Sequence, residues 1–123
     1  MRVLLVDDEL ELVSTLAERL NLRGIEADWV TSGEAALKQV EEKSYEVALL
    51  DIKIPKISGF SLKKKLEEKY PQMKFIFITG HGSEEDFRQG TAEAGEDYYL
   101  VKPIDIQVLI EKMNTLLNRK GEN

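Results

Sequence analysis

Val47-Ala48-Leu49-Leu50-Asp51 is a run of four apolar residues that ends in a carboxylate. A run so short and so uniformly apolar suits a strand buried on both faces, as in a parallel sheet covered by helices on either side. Asp51 then lies where the strand comes to the surface. The pattern recurs in Val3-Leu4-Leu5-Val6 before Asp7 and Asp8, in Phe75-Ile76-Phe77-Ile78 before Thr79, and in Tyr98-Tyr99-Leu100-Val101 before Lys102. In an open parallel sheet these strand ends share one edge, and ligands bind in the crevice there. Three carboxylates, a hydroxyl and an ammonium are expected to converge on it.

Helical spacing fills the intervals. Leu12, Val13, Leu16, Ala17 and Leu20 form one apolar stripe, which Gly24 stops with a left-handed cap. Glu26-Ala27-Asp28-Trp29-Val30 alternates polar with apolar and suits a less buried edge strand, with Trp29 read as a packing residue. Thr31 or Ser32 caps a second helix with Ala36, Leu37 and Val40 on its face, ending at Lys43-Ser44. Pro55 and Gly59 bracket a loop, and Ser58 caps a third helix bearing Leu62 and Leu66 that ends before Pro71. Ser83-Glu84-Glu85-Asp86 resembles a capping box, but the fourth helix it would open contains Gly90 and few apolar residues, so it reads as short or mobile. Asp105 caps a last helix with Val108, Leu109, Met113, Leu116 and Leu117 on one side.

Five alternations of strand and helix call for a doubly wound α/β fold with a five-stranded parallel sheet. The three uniformly apolar strands belong in the centre and the alternating second strand at an edge. Order 2-1-3-4-5 meets that demand and puts the topological switch point between strands one and three, flanked by Asp7, Asp8 and Asp51.

The 123 residues fit one domain, expected over residues 1–119, with residues 120–123 as a frayed tail. Without cysteine there are no disulfides, thiolate metal sites or cysteine nucleophiles. Apolar runs are strand-length, and Met1-Arg2 leads straight into the first strand without a secretory signal, so a cytoplasmic location with no membrane association is expected. The formal charge of -6 disfavours direct nucleic-acid binding. The one basic cluster, Lys63-Lys64-Lys65, reads as a solvated helix face.

Clustered carboxylates disfavour one another's ionisation, so they hold either protons or a cation. Hard oxygen ligands with neither cysteine nor histidine among them point to Mg2+ or Mn2+ ahead of Ca2+. A cation held by few carboxylates and several waters usually completes its shell with a phosphoryl group. No glycine-rich loop follows the first strand to cradle a nucleotide. A carboxylate can itself take up a phosphoryl group. Asp51, on the central strand, is best placed to attack, with Asp7 and Asp8 holding the metal. Lys102 would neutralise the phosphoryl oxygens left uncovered by the metal, and the Thr79 hydroxyl would donate to one of them.

In their order and spacing Asp7-Asp8, Asp51-Ile52-Lys53-Ile54-Pro55 with Gly59 behind it, Thr79-Gly80 and Lys102-Pro103 resemble the receiver domains of two-component response regulators, over essentially the whole chain. The resemblance implies the flavodoxin-like (β/α)5 receiver fold and an Asp51 that accepts a phosphoryl group from a phosphohistidine of a sensor histidine kinase or phosphotransfer protein. It implies Mg2+ bound by Asp8, Asp51 and the backbone carbonyl of Lys53, with Asp7 acting through metal-bound water. It further implies a cis bond before Pro103 and a switch in which Thr79 moves toward the phosphate while Tyr99 turns inward, Tyr98 being read as an amphipathic edge residue. The output surface would be the fourth helix, fifth strand and fifth helix. It would dock on a downstream protein, serve an output domain in a longer regulator, or form a phosphorylation-dependent homodimer. Lys53 and His81, two residues beyond Asp51 and Thr79, would tune how long the aspartyl phosphate lasts. The competing readings are a phosphatase of the haloacid dehalogenase type, whose second motif acid is missing from Asp51-Ile52-Lys53, and a flavodoxin-like flavin carrier.

Overall fold

A computed structural model describes residues 1–80, 88, 92 and 98–118. Five strands, β1 (Arg2–Val6), β2 (Glu26–Val30), β3 (Val47–Asp51), β4 (Lys74–Thr79) and β5 (Tyr99–Val101), form one sheet in the order β2-β1-β3-β4-β5. Every pairing is parallel. This is the doubly wound α/β topology expected from the apolar runs.

Helices bounded within the described residues are α1 (Leu10–Leu22), α2 (Gly33–Glu42), α3 (Gly59–Lys69) and a C-terminal helix (Ile106–Asn118). Side chains alternate across each central strand, so the core has two halves. On one face Val3, Leu5, Val47, Leu49, Ile76 and Ile78 meet α1 and the C-terminal helix; on the other Leu4, Val6, Ala48, Leu50, Phe75 and Phe77 meet α2 and α3. All five residues of β3 are buried, as a central strand requires.

Helix ends follow local chemistry. Ser32 and Ser58 accept the N–H groups of Ala35 and Ser61 at the starts of α2 and α3. At the end of α1, Gly24 adopts φ +83° while its N–H and that of Ile25 return to the carbonyls of Asn21 and Leu20, a Schellman closure. Asp105 accepts the N–H groups of Gln107 and Val108 ahead of the C-terminal helix.

Four expectations are corrected. Tyr98 precedes β5 instead of lying in it, and at 8% exposure it is a core residue, not an edge residue. Val108 faces outward, because the buried stripe of the C-terminal helix runs through Ile106, Leu109, Met113 and Leu116. Trp29, read as a packing residue, is 40% exposed on edge strand β2. Lys63 is not simply solvated: it pairs with Glu67 at 3.3 Å and lies 5.9 Å from the Phe75 ring centroid. The capping box at Ser83–Asp86, the fourth helix with Gly90, His81 and the tail at 120–123 all lie outside the described residues. No helix among the described residues is long and apolar enough to cross a membrane.

Candidate functional site

Sheet register assembles the site. Val6 pairs with Val30 on one side and Leu50 on the other, so the next residues, Asp7 and Asp51, leave their strands at the same level. Thr79 pairs with Val101, and the Lys102 N–H reaches the Thr79 carbonyl at 2.8 Å, which brings Lys102 to the same rim. The Lys102-Pro103 peptide bond is cis. An open cleft of about 540 Å³ is lined by Asp8, Glu9, Asp51, Lys53, Thr79, Gly80 and Lys102, among others.

Both strand ends turn by the same device. Asp7 Oδ1 accepts the N–H of Glu9 at 2.9 Å, and Asp51 Oδ1 accepts the N–H of Lys53 at 3.0 Å. These are Asx turns, in which a carboxylate binds backbone two residues on. Each leaves its second oxygen toward Lys102, whose Nζ is 2.8 Å from Asp7 Oδ2 and 3.2 Å from Asp51 Oδ2. Glu9 completes the group, its Oε1 accepting a hydrogen bond from Lys102 Nζ. Asp7 and Asp51 are buried, whereas Asp8 stands at the surface.

Burial raises the Asp51 pKa; the Lys53 N–H opposes this, the charge of Asp7 adds to it, and Lys102 opposes it. The net result lies above the ordinary aspartate value. Burial also works against the charge on Lys102, but its hydrogen bonds to Asp7, Glu9 and Asp51 outweigh it and hold the ammonium above the usual lysine range. Asp7, Asp8 and Asp51 each offer an oxygen within 4.8 Å of the others. Three hard oxygen donors, one of them on a carboxylate with a raised pKa, make a set that a small divalent cation would relieve.

Asp7, Asp8, Asp51, Thr79 and Lys102 thus meet at one rim, with the Lys53 backbone at its edge. Tyr99 lies away from it, 6% exposed in the core half beneath α2 and α3. Glu9 escaped the sequence reading. It directly follows two acids already assigned to a strand end, and nothing in its spacing indicates a reach to Lys102.

The family model described as response regulator receiver domain matches residues 3–114. The two-component response regulator PhoP of Pseudomonas aeruginosa is 34% identical over 98% of this chain and 53% of its own length. The sensory transduction protein RegX3 of Mycobacterium tuberculosis is 36% identical over 98% of this chain and 52% of its own. The chain therefore spans about half the length of the curated relatives it matches. A crystal structure of a CheY-like response regulator receiver domain protein from Methanospirillum hungatei superposes with a TM-score of 0.85 at 31% identity, covering 99% of this chain and 98% of that one.

Proposed function

Because the chain belongs to the family of response regulator receiver domains, we propose that Asp51 is the phosphoacceptor of a two-component signalling pathway. The observation that carries this reading is the position of Asp51: its carboxylate shares one small volume with Asp7 and Asp8 and lies 3.2 Å from the Lys102 ammonium. The role is that of a signalling phosphoacceptor that assists its own modification, not of an enzyme turning over a free substrate.

The donor is a phosphohistidine on a sensor histidine kinase or a phosphotransfer protein. A lone pair on the Asp51 carboxylate attacks phosphorus, an O–P bond forms, and the P–N bond breaks with its electron pair left on the imidazole. No general base is required, since a carboxylate nucleophile has no proton to give up. Asp8, Asp51 and the Lys53 carbonyl would hold Mg2+, with Mn2+ a substitute and Asp7 acting through a bound water. When bound, the cation supplies positive charge to the transferring phosphoryl oxygens. Lys102 stands ready to neutralise a further oxygen, and Thr79 to donate its hydroxyl.

The switch would then link Thr79 to Tyr99 and to an output face that includes β5 and the C-terminal helix. That face would dock on a downstream protein, on an output domain of a longer protein, or on a second copy. A receiver unit over residues 1–119 and a cytoplasmic setting belong to the same proposal. The test is to incubate the protein with acetyl phosphate and Mg2+ and measure intact mass. One phosphoryl group per chain is expected, and none when Mg2+ is chelated beforehand or in Asp51→Asn. An adduct that persists in Asp51→Asn would overturn the assignment.

A further inference from the structure

Glu9 occupies the N-cap position of α1, yet its side chain makes no capping hydrogen bond there. Serine, threonine, aspartate and asparagine favour that position because a short side chain reaches the N–H groups of the first turn. Here the longer side chain turns away from the helix and hydrogen-bonds the Lys102 ammonium, 93 residues distant in the chain. The backbone of Glu9 is fixed while it does so. Its N–H is held by Asp7 Oδ1 at 2.9 Å, and its carbonyl accepts the Val13 N–H at 3.0 Å.

An ammonium has three N–H donors, and around Lys102 stand three carboxylates: Asp7, Glu9 and Asp51. Nζ donates to Glu9 and Asp51 and is ion-paired with Asp7, so a phosphoryl oxygen that approaches Lys102 competes with these carboxylates for its charge. Asp7 and Asp51 have 1% and 7% of their side-chain surface exposed and have nowhere wet to go; Glu9 has 59% exposed and returns to solvent at little cost. Glu9 is thus the replaceable partner.

We propose that Glu9 is a positioning residue that holds Lys102 in the resting site and competes with the incoming phosphoryl group for it, slowing phosphorylation of Asp51. This rests on the reading of Asp51 as phosphoacceptor. The α1 N-cap gives up its side-chain cap so that Lys102 is occupied until a phosphoryl group arrives.

The test follows phosphorylation by acetyl phosphate at saturating Mg2+ in wild type, Glu9→Gln and Glu9→Ser, each also in a Lys102→Ala background. If wild type forms no adduct that depends on Asp51, the phosphoacceptor reading fails, and this proposal with it. Given that adduct, Glu9→Gln and Glu9→Ser should react about two- to fivefold faster, the factor an ion pair with one exposed member supplies. The gain should vanish once Lys102 is alanine. Glu9→Ser, which can cap α1, should keep or raise the thermal midpoint, whereas a purely structural glutamate would lose stability together with rate. Rates equal to wild type, or a gain that survives in Lys102→Ala, would overturn the proposal.

Discussion

Asp51 carries its charge at a cost to folding. Burial and the charge of Asp7 outweigh the Lys53 N–H and Lys102, so its pKa in the folded protein exceeds the unfolded value of about 3.9. A pKa raised by folding means that the stability associated with the group is complete below the unfolded pKa and is lost as pH rises through the folded one. Asp51→Asn removes that loss. It should raise the thermal midpoint at neutral pH when no divalent cation is present, by a margin that shrinks as pH falls toward about 4. A constant margin from pH 7 into acid would refute this. Tyr45 is a second residue whose chemistry can be read directly. Its hydroxyl donates to Asp28 Oδ2 at 2.6 Å and accepts from Gln39 Nε2 at 2.8 Å. Burial and the Asp28 carboxylate push its pKa up to about 12. The associated stability is intact below about pH 10, the unfolded tyrosine value, and falls as pH rises through the folded one. Tyr45→Phe should therefore cost about 1–2 kcal/mol in urea unfolding at neutral pH. That gap should narrow in strong alkali, and a gap independent of pH would show that the hydroxyl is not the source.

Among the elements, the loop from β3 to α3 sets the position of Asp51. A Cβ at Gly59 would fall 2.4 Å from the Asp51 carbonyl oxygen and 3.0 Å from Ile52 Cα. Both are backbone atoms, which cannot swing aside as a side chain can. Gly59→Ala should cost roughly 1–3 kcal/mol, the usual penalty for forcing atoms into filled space, and should slow phosphorylation because the displaced segment carries the acceptor. Unchanged stability and rate would show that the loop absorbs the methyl group. Sequence reading marked Gly59 as a bracket of the loop, but the close approach of two backbones that requires glycine appears only in three dimensions. The misreadings among the elements share one origin. Tyr98 continues an apolar run that looks like strand, and a run alone does not say where a turn ends and pairing starts. Val108 lies beside the apolar stripe of its helix, where one helical step separates core from solvent. Lys63 is charged, which marks it as solvated, yet its ammonium lies over the Phe75 ring and pairs with Glu67 one helical turn on.

Across the whole molecule, the topology was legible because β1, β3 and β4 are apolar on both faces and β2 is not. That asymmetry puts β2 at an edge and the other three inside. The site was legible for the same reason, since a polar residue directly after a buried strand has to emerge at the rim. Glu9 was not legible, because its contact with Lys102 depends on the direction in which α1 leaves β1. What register imposes on the molecule is a concentration of like charge: Asp7, Asp8 and Asp51 lie within 4.8 Å, offset by one ammonium. A cation that binds this arrangement in the folded state, and has no counterpart site in the unfolded chain, stabilises by mass action. Mg2+ should therefore raise the thermal midpoint in a saturable way, by about 2.7 kcal/mol at a hundred times its dissociation constant. A chelator should reverse the shift. Asp8→Asn should weaken the response and Asp8→Asn with Asp51→Asn should abolish it, while Glu9→Gln, which leaves all three donors in place, should retain it. A midpoint indifferent to Mg2+, or equally responsive in the double variant, would mean that these carboxylates do not share an ion.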